Sequence, residues 1–143
     1  MGNVGFTLIE LLIVVAILGV LAAIGVPQYL EMVRRAQETA AIAYMKSWPV
    51  AQEYYKEKYG WYANDDDQLV KGQLIPVKLV KGKDASRAGY KFSIDSPKKS
   101  KTGWWGKGWP ITANSRSRYF YIDDTGTLRY ELGKEASAKS PPL

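Results

Sequence analysis

Between Phe6 and Val26 the chain runs for 21 residues with one ionisable side chain, Glu10. At about 1.5 Å of rise per residue, a helix of that length spans roughly the hydrocarbon core of a bilayer. Such a stretch has few ways to fold, because it must lie in lipid or among other apolar helices. A carboxylate inside it is penalised heavily unless a partner meets it, so Glu10 marks function by default. The alternative is a plain anchor whose one polar residue snorkels to the headgroups. A secretory signal fits less well: the five residues before Phe6 carry no positive charge, and no small-residue cleavage site with a polar exit comes before Pro27. A stop-transfer anchor needs no amphipathic continuation, and this chain has one.

The run Gly5-Phe6-Thr7-Leu8-Ile9-Glu10-Leu11-Leu12-Ile13-Val14-Val15-Ala16-Ile17-Leu18 resembles the amino terminus of type IV prepilins and of the pseudopilins of type II secretion. By that resemblance a prepilin peptidase cuts between Gly5 and Phe6 and methylates the new amino group of Phe6. Glu10 then becomes the fifth residue of the mature subunit, and Pro27 stands where the family carries its helix-kinking proline. The signature covers residues 5–28. Met1-Gly2-Asn3-Val4-Gly5 departs from the family leader in lacking Lys or Arg. The resemblance implies an inner-membrane precursor, handled by an assembly platform and its ATPase, that becomes a homopolymeric helical filament at the cell surface, or in the periplasm for a pseudopilin. It also gives the buried carboxylate a partner, since the Phe6 ammonium of one subunit can pair with Glu10 of a neighbour. Breaking one side of a buried ion pair typically costs about 3–5 kcal/mol, so the pair selects axial register more than it adds stability.

The helical pattern continues from residue 28 to 60. Leu30, Val33, Ala40, Ala41, Tyr44, Trp48, Ala51, Tyr55 and Tyr59 fall mostly three or four apart, with Glu31, Arg34, Arg35, Glu38, Lys46, Glu53 and Glu57 on the other faces. Pro27 and Pro49 are expected to kink this helix rather than end it. Gly19 and Gly25 weaken the stretch before Pro27, each by about 1 kcal/mol relative to Ala, and by the family comparison this region loses helicity when subunits pack. Beyond residue 60 the period changes. Leu74–Val80, Tyr90–Ile94, Tyr119–Asp123 and Leu128–Leu132 read as strands, and Asp123-Asp124-Thr125-Gly126 joins the last two as a hairpin. The expected architecture is α+β and pilin-like, a long N-terminal helix packed on a small antiparallel sheet. Its parts are a leader (1–5), an apolar helix (6–27), an amphipathic helix (28–60), a sheet head (61–133) and a loose tail (134–143), too poor in apolar residues to fold alone.

Charge is uneven along the chain. Residues 69–118 hold twelve Lys or Arg against two Asp or Glu, although the whole chain is only +6. Within this basic middle, residues 97–118 read as a long loop in which Lys98, Lys99, Lys101, Lys107, Arg116 and Arg118 lie beside Trp104, Trp105 and Trp109. Indoles that stack and cations that neutralise phosphates or acidic sugars would suit a weak polyanion partner such as DNA or an acidic glycan. Equally, the tryptophans can pack a disulfide-free loop while the lysines keep it soluble. Asp65, Asp66 and Asp67 lack the ligand spacing of a calcium loop and read as a solvated turn. Tyr29, Tyr44, Tyr54, Tyr55, Tyr59 and Trp61 can be read as a path for electrons, but aromatics at helical spacing are packing residues first.

There are no His and no Cys, so the usual nucleophile–base pairs and transition-metal sites have no residues to build them. No catalytic residue, metal or cofactor is expected. Three functions of different classes remain: a pilus subunit, a secretion pseudopilin, and a membrane-anchored binding protein that never polymerises. Glu10 argues against the third. The four-residue turn between the last two strands leaves no room for the calcium loop expected of a principal pseudopilin, which favours the pilus subunit.

Overall fold

The computed structural model describes residue 2 and residues 5–75, 85–87 and 89–143, with the backbone alone for 85–87. It divides into an N-terminal unit, Met1–Ala36, and a head, Gln37–Leu143. The first helix, α1, runs Leu8–Lys46 with Pro27 in its interior, so the apolar run and the first half of the amphipathic stretch share one element. Leu, Ile, Val and Ala fill it, and none of them offers the backbone a competing hydrogen bond.

A single residue separates α1 from α2, Trp48–Tyr59. Pro49 has no N–H to give the carbonyl four residues back, and in the first turn of a new helix that loss is harmless. Ser47 sits in the gap with its hydroxyl donating to the Tyr44 carbonyl at 2.7 Å. The expected kink at Pro49 is therefore a one-residue break. Gly60 ends α2 at φ 83°, a left-handed cap whose N–H returns to the Lys56 carbonyl. The acidic turn begins a short helix, α3 (Asp66–Lys71), with the Asp65 carboxylate accepting from the Gln68 N–H at 2.9 Å.

Among the described residues five strands follow in sequence order and pair antiparallel throughout: β1 (Ala85–Arg87), β2 (Tyr90–Asp95), β3 (Trp105–Pro110), β4 (Arg118–Asp123) and β5 (Arg129–Leu132). The last strands of the sequence reading stand where expected, and Gly126 at φ 73° closes their hairpin. Of the expected strand at 74–80, Leu74 and Ile75 fall in the turn after α3, and 76–80 lie outside the described residues.

The expected loop at 97–118 is the main correction. Its middle is β3, a strand flanked by β2 and β4, with Phe92 opposite Gly108 and Ile94 opposite Gly106. Two glycines in six residues look like loop composition, but here they face the helices. A Cβ on Gly106 would lie 2.3 Å from the Trp48 ring, and one on Gly108 would lie 2.9 Å from the Met45 sulfur. The strand has glycine wherever the largest core side chains press on it.

The core lies between the ends of the helices and the inner sheet face. Tyr44, Met45 and Trp48 meet Phe92, Tyr90 and Phe120, and Leu69, Trp104 and Ile122 close it. Its rings meet edge-on, Tyr44 with Phe92 at 4.9 Å and Tyr44 with Trp48 at 5.5 Å. Buried Gln52 pins the chain after α2 by bonding both polar groups of Ala63.

The expected loose tail is also corrected. Residues 134–143 fold back along the free edge of β5: the Tyr130 N–H donates to the Pro141 carbonyl and the Leu143 N–H to that of Leu128. Ala136 and Ser140 are buried, and the Ser140 hydroxyl donates to Glu131 at 2.8 Å. Backbone pairing with an open strand edge supplies what the tail's composition lacks.

Candidate assembly site

Gly5 and Phe6 precede the helix, and Phe6 is exposed. Thr7 and Glu10 then form a reciprocal cap. The Thr7 N–H and hydroxyl donate to the Glu10 carboxylate at 2.9 and 2.7 Å, and the Glu10 N–H donates to the Thr7 hydroxyl oxygen at 3.3 Å. This is the Thr-x-x-Glu capping box, legible in the sequence at 7–10 and missed there. The box fixes the carboxylate on the first turn, beside the backbone of Thr7 and one residue from Phe6.

From Leu8 to Val26 the helix presents apolar side chains on every face, and none is buried within this unit. The helix is long and apolar enough to cross a membrane. Gly19 and Gly25 lie in open surroundings, with nothing near where a Cβ would stand. The apolar surface ends at a charged fork, in which Glu31 accepts from Arg34 at 2.6 and 2.9 Å and from Arg35 at 3.1 Å. Those two guanidiniums, Arg34 above all, pull the Glu31 carboxyl down to about 2.

The basic constellation is dispersed. Trp104 is in the core, 2% exposed. Trp105, Lys107 and Trp109 alternate onto the outer face of β3, where Lys107 donates to Glu135 of the tail at 2.5 Å. Arg118 turns toward buried Glu38 at 3.9 Å, with its guanidinium 5.1 Å from the Tyr130 ring centre. Lys98, Lys99 and Lys101 are exposed on the turn before β3, where the nearby indole is that of Trp61, 5.1 Å from the Lys99 ammonium. Arg116 is exposed in the β3–β4 connection. The strand's alternation gathers only Trp105, Lys107 and Trp109 on one face, while Trp104 is in the core and the other cations lie on separate turns and on β4. Among the described residues no three His, Cys, Asp or Glu side chains converge to hold a metal ion.

The described residues combine a capped carboxylate opening an apolar helix, long enough to cross a membrane, with an antiparallel sheet head. The family described as "Prokaryotic N-terminal methylation motif" matches residues 5–26. The chain is 31% identical over 140 residues to the type IV major pilin protein PilE of Neisseria gonorrhoeae, covering 85% of this chain and 84% of that one. It is 47% identical over 144 residues to the fimbrial protein EcpC of Eikenella corrodens, covering 96% and 87%. Over 66 residues it is 42% identical to the type IV major pilin protein PilA of Myxococcus xanthus, covering 44% and 30%. The chain belongs to the type IV pilin family, and its role is that of a structural subunit of a pilus. Homopolymerisation and processing at the N-terminal motif go with that membership.

Proposed function

We propose that a prepilin peptidase cleaves this chain between Gly5 and Phe6, that Phe6 is then N-methylated, and that the mature subunit polymerises with the Phe6 ammonium of one copy paired to Glu10 of its neighbour. The reading rests on the Thr7–Glu10 capping box, which holds an ionisable side chain at the start of a helix with no other acidic or basic residue before Glu31. In lipid the box gives the carboxylate two donors within its own chain, and in a filament the neighbour's ammonium adds a full charge. Only one axial stagger brings that ammonium to the carboxylate, so register follows from charge while cohesion follows from apolar area. Gly19, Gly25 and Pro27 would give the helix its freedom to adjust as subunits pack, through weak propensity and a missing hydrogen-bond donor.

The precursor would sit in the inner membrane, be extracted by an assembly platform driven by an ATPase, and end in a filament on the cell surface. The role is structural and not enzymatic, in keeping with a sequence that has no His or Cys. Mass spectrometry of subunits from sheared filaments tests processing, with a mature chain beginning at N-methyl-Phe6 expected and a filament subunit beginning at Met1 refuting it. Gly5→Val should leave uncleaved precursor in the membrane. Glu10→Ala, expressed without wild type, should be inserted and cleaved yet assemble poorly, and wild-type yields of filament would refute the register role.

A further inference from the structure

The sheet face turned away from the helices carries a pocket of about 280 Å³ between β3, β4 and the folded-back tail. Trp109 and Tyr119 supply its aromatic walls, Ala136 of the tail closes one side, and Lys107 with Glu135 stands at its edge. The pocket exists because the tail pairs with β5: Arg129 donates to the Ser140 carbonyl at 3.1 Å, and Ser140 in turn binds Glu131. Polymerisation through α1 does not need this face.

Its chemistry is narrow. Two half-buried rings offer flat apolar surface, while the ammonium and carboxylate of the Lys107–Glu135 pair offer donors and acceptors that sum to no net charge. A phosphate or a carboxylate ligand would have to break that pair to find its cation. A purely apolar ligand would make no use of the donors and acceptors that this pair holds at the rim. What fits is a ring with an apolar C–H face and a rim of hydroxyls. The volume, at the small end of small-molecule pockets, takes one such ring and not two. We propose that this pocket is a pyranose subsite, which binds one neutral hexose or N-acetylhexosamine ring by stacking on Trp109 and Tyr119 with hydroxyl contacts to Lys107 and Glu135. The site goes beyond the subunit's structural role and is independent of whether it assembles as proposed.

The test is saturation-transfer NMR on the detergent-solubilised full chain, in a detergent without a sugar headgroup, with the methyl glycosides of glucose, galactose, mannose and N-acetylglucosamine as probes. The expected result is weak, saturable binding of at least one glycoside, with transfer strongest to the protons of one ring face. Trp109→Ala should weaken it about tenfold. Trp105→Ala, four residues earlier on the same outer face but not lining the pocket, should leave the Kd unchanged. Glu135→Ala, at a side chain 69% exposed and so no threat to folding, should weaken it several-fold. The proposal is overturned if no glycoside shows transfer, if Trp105→Ala and Trp109→Ala weaken binding equally, if Glu135→Ala has no effect, or if N-acetyltryptophanamide displaces every glycoside and binds more tightly, which would make this a pocket for a protein side chain. None of these outcomes touches the filament assay, so the two ideas fail separately.

Discussion

Replacing Gly106 with Ala tests how the head is held together. The added methyl carbon would stand 2.3 Å from Cζ3 and 2.7 Å from Cε3 of Trp48, with the Ser93 carbonyl 3.3 Å away on its other side. Trp48 cannot swing aside, because it is fully buried and set edge-on to Tyr44 at 5.5 Å and Phe92 at 5.9 Å. Overpacking a well-filled core costs about 1–3 kcal/mol. For a head of about 100 residues each kcal/mol lowers Tm by about 4 °C, so the variant should melt about 4–12 °C below wild type. Gly108→Ala should cost less, since its Cβ meets the flexible Met45 thioether at 2.9 Å. Gly103→Ala, whose Cβ would approach only the Asp124 carboxylate at 3.3 Å, should be nearly silent. Near-UV circular dichroism follows the melt, because Trp48 and Trp104 report on the packed core. The reasoning fails if Gly106→Ala melts with wild type, or if Gly108→Ala is the more damaging of the pair.

Arg118→Ala leaves the buried Glu38 without the guanidinium that faces it. The pair is long and Arg118 is 39% exposed, so the expected loss is about 1–2 kcal/mol and not the full value of a buried pair, and chemical denaturation of the head showing no loss would refute it. The lowered Glu31 carboxyl makes the Arg34–Arg35 fork an acid-labile feature: its stabilisation is present above the ordinary carboxylate range and is lost as pH falls through about 2. Carboxyl-carbon NMR should place the Glu31 midpoint near that value, and Arg34→Ala should raise it. Thr7→Val removes the N-cap, which should weaken the first turn by about 1 kcal/mol and speed exchange of the Glu10 amide about fivefold; unchanged exchange would count against the capping box as the holder of Glu10. Neutralising Lys98, Lys99 and Lys101 together should flatten the salt dependence of any binding to single-stranded DNA, whereas Lys107→Gln should not, since Lys107 is already paired with Glu135; equal effects would refute the separation of the two groups.

What was legible in the sequence follows from how much each residue's pattern depends on distant partners. The apolar run, the strand alternation at Tyr90–Asp95 and the hairpin around Gly126 depend on neighbours in sequence, and each was readable. The segment Trp105-Gly106-Lys107-Gly108-Trp109 was not. Glycine lowers local strand preference, and the reason for it here, Trp48 and Met45 pressing from helices some sixty residues earlier, cannot be seen until the chain is folded. The tail hid for the same reason, because its order comes from the open edge of β5 and not from its own composition. In the candidate assembly site the key signal was local and simply overlooked, since Thr7 stands three residues before Glu10 at the mouth of an apolar helix.

The capping box and the glycine strand place opposite demands on the two units. In the head, the largest aromatic side chains are met by the absence of a side chain, which leaves one arrangement of helix on sheet and penalises any shift between them. Between Leu11 and Val26 nothing interlocks: uncharged apolar side chains and glycines cover the helix all round and all are exposed, so apolar packing alone would accept many staggers between neighbouring copies. A polymer needs one stagger, and on such a surface a charge is the cheapest way to specify it, because a mismatch strands an ion in an apolar medium while a match adds little net stability. The capping box lets a chain carry that charge before any neighbour exists, by giving the carboxylate donors from its own first turn. If Glu10 pairs as proposed, specificity in this chain is set by volume where the fold is rigid and by one carboxylate where the surface is uniform.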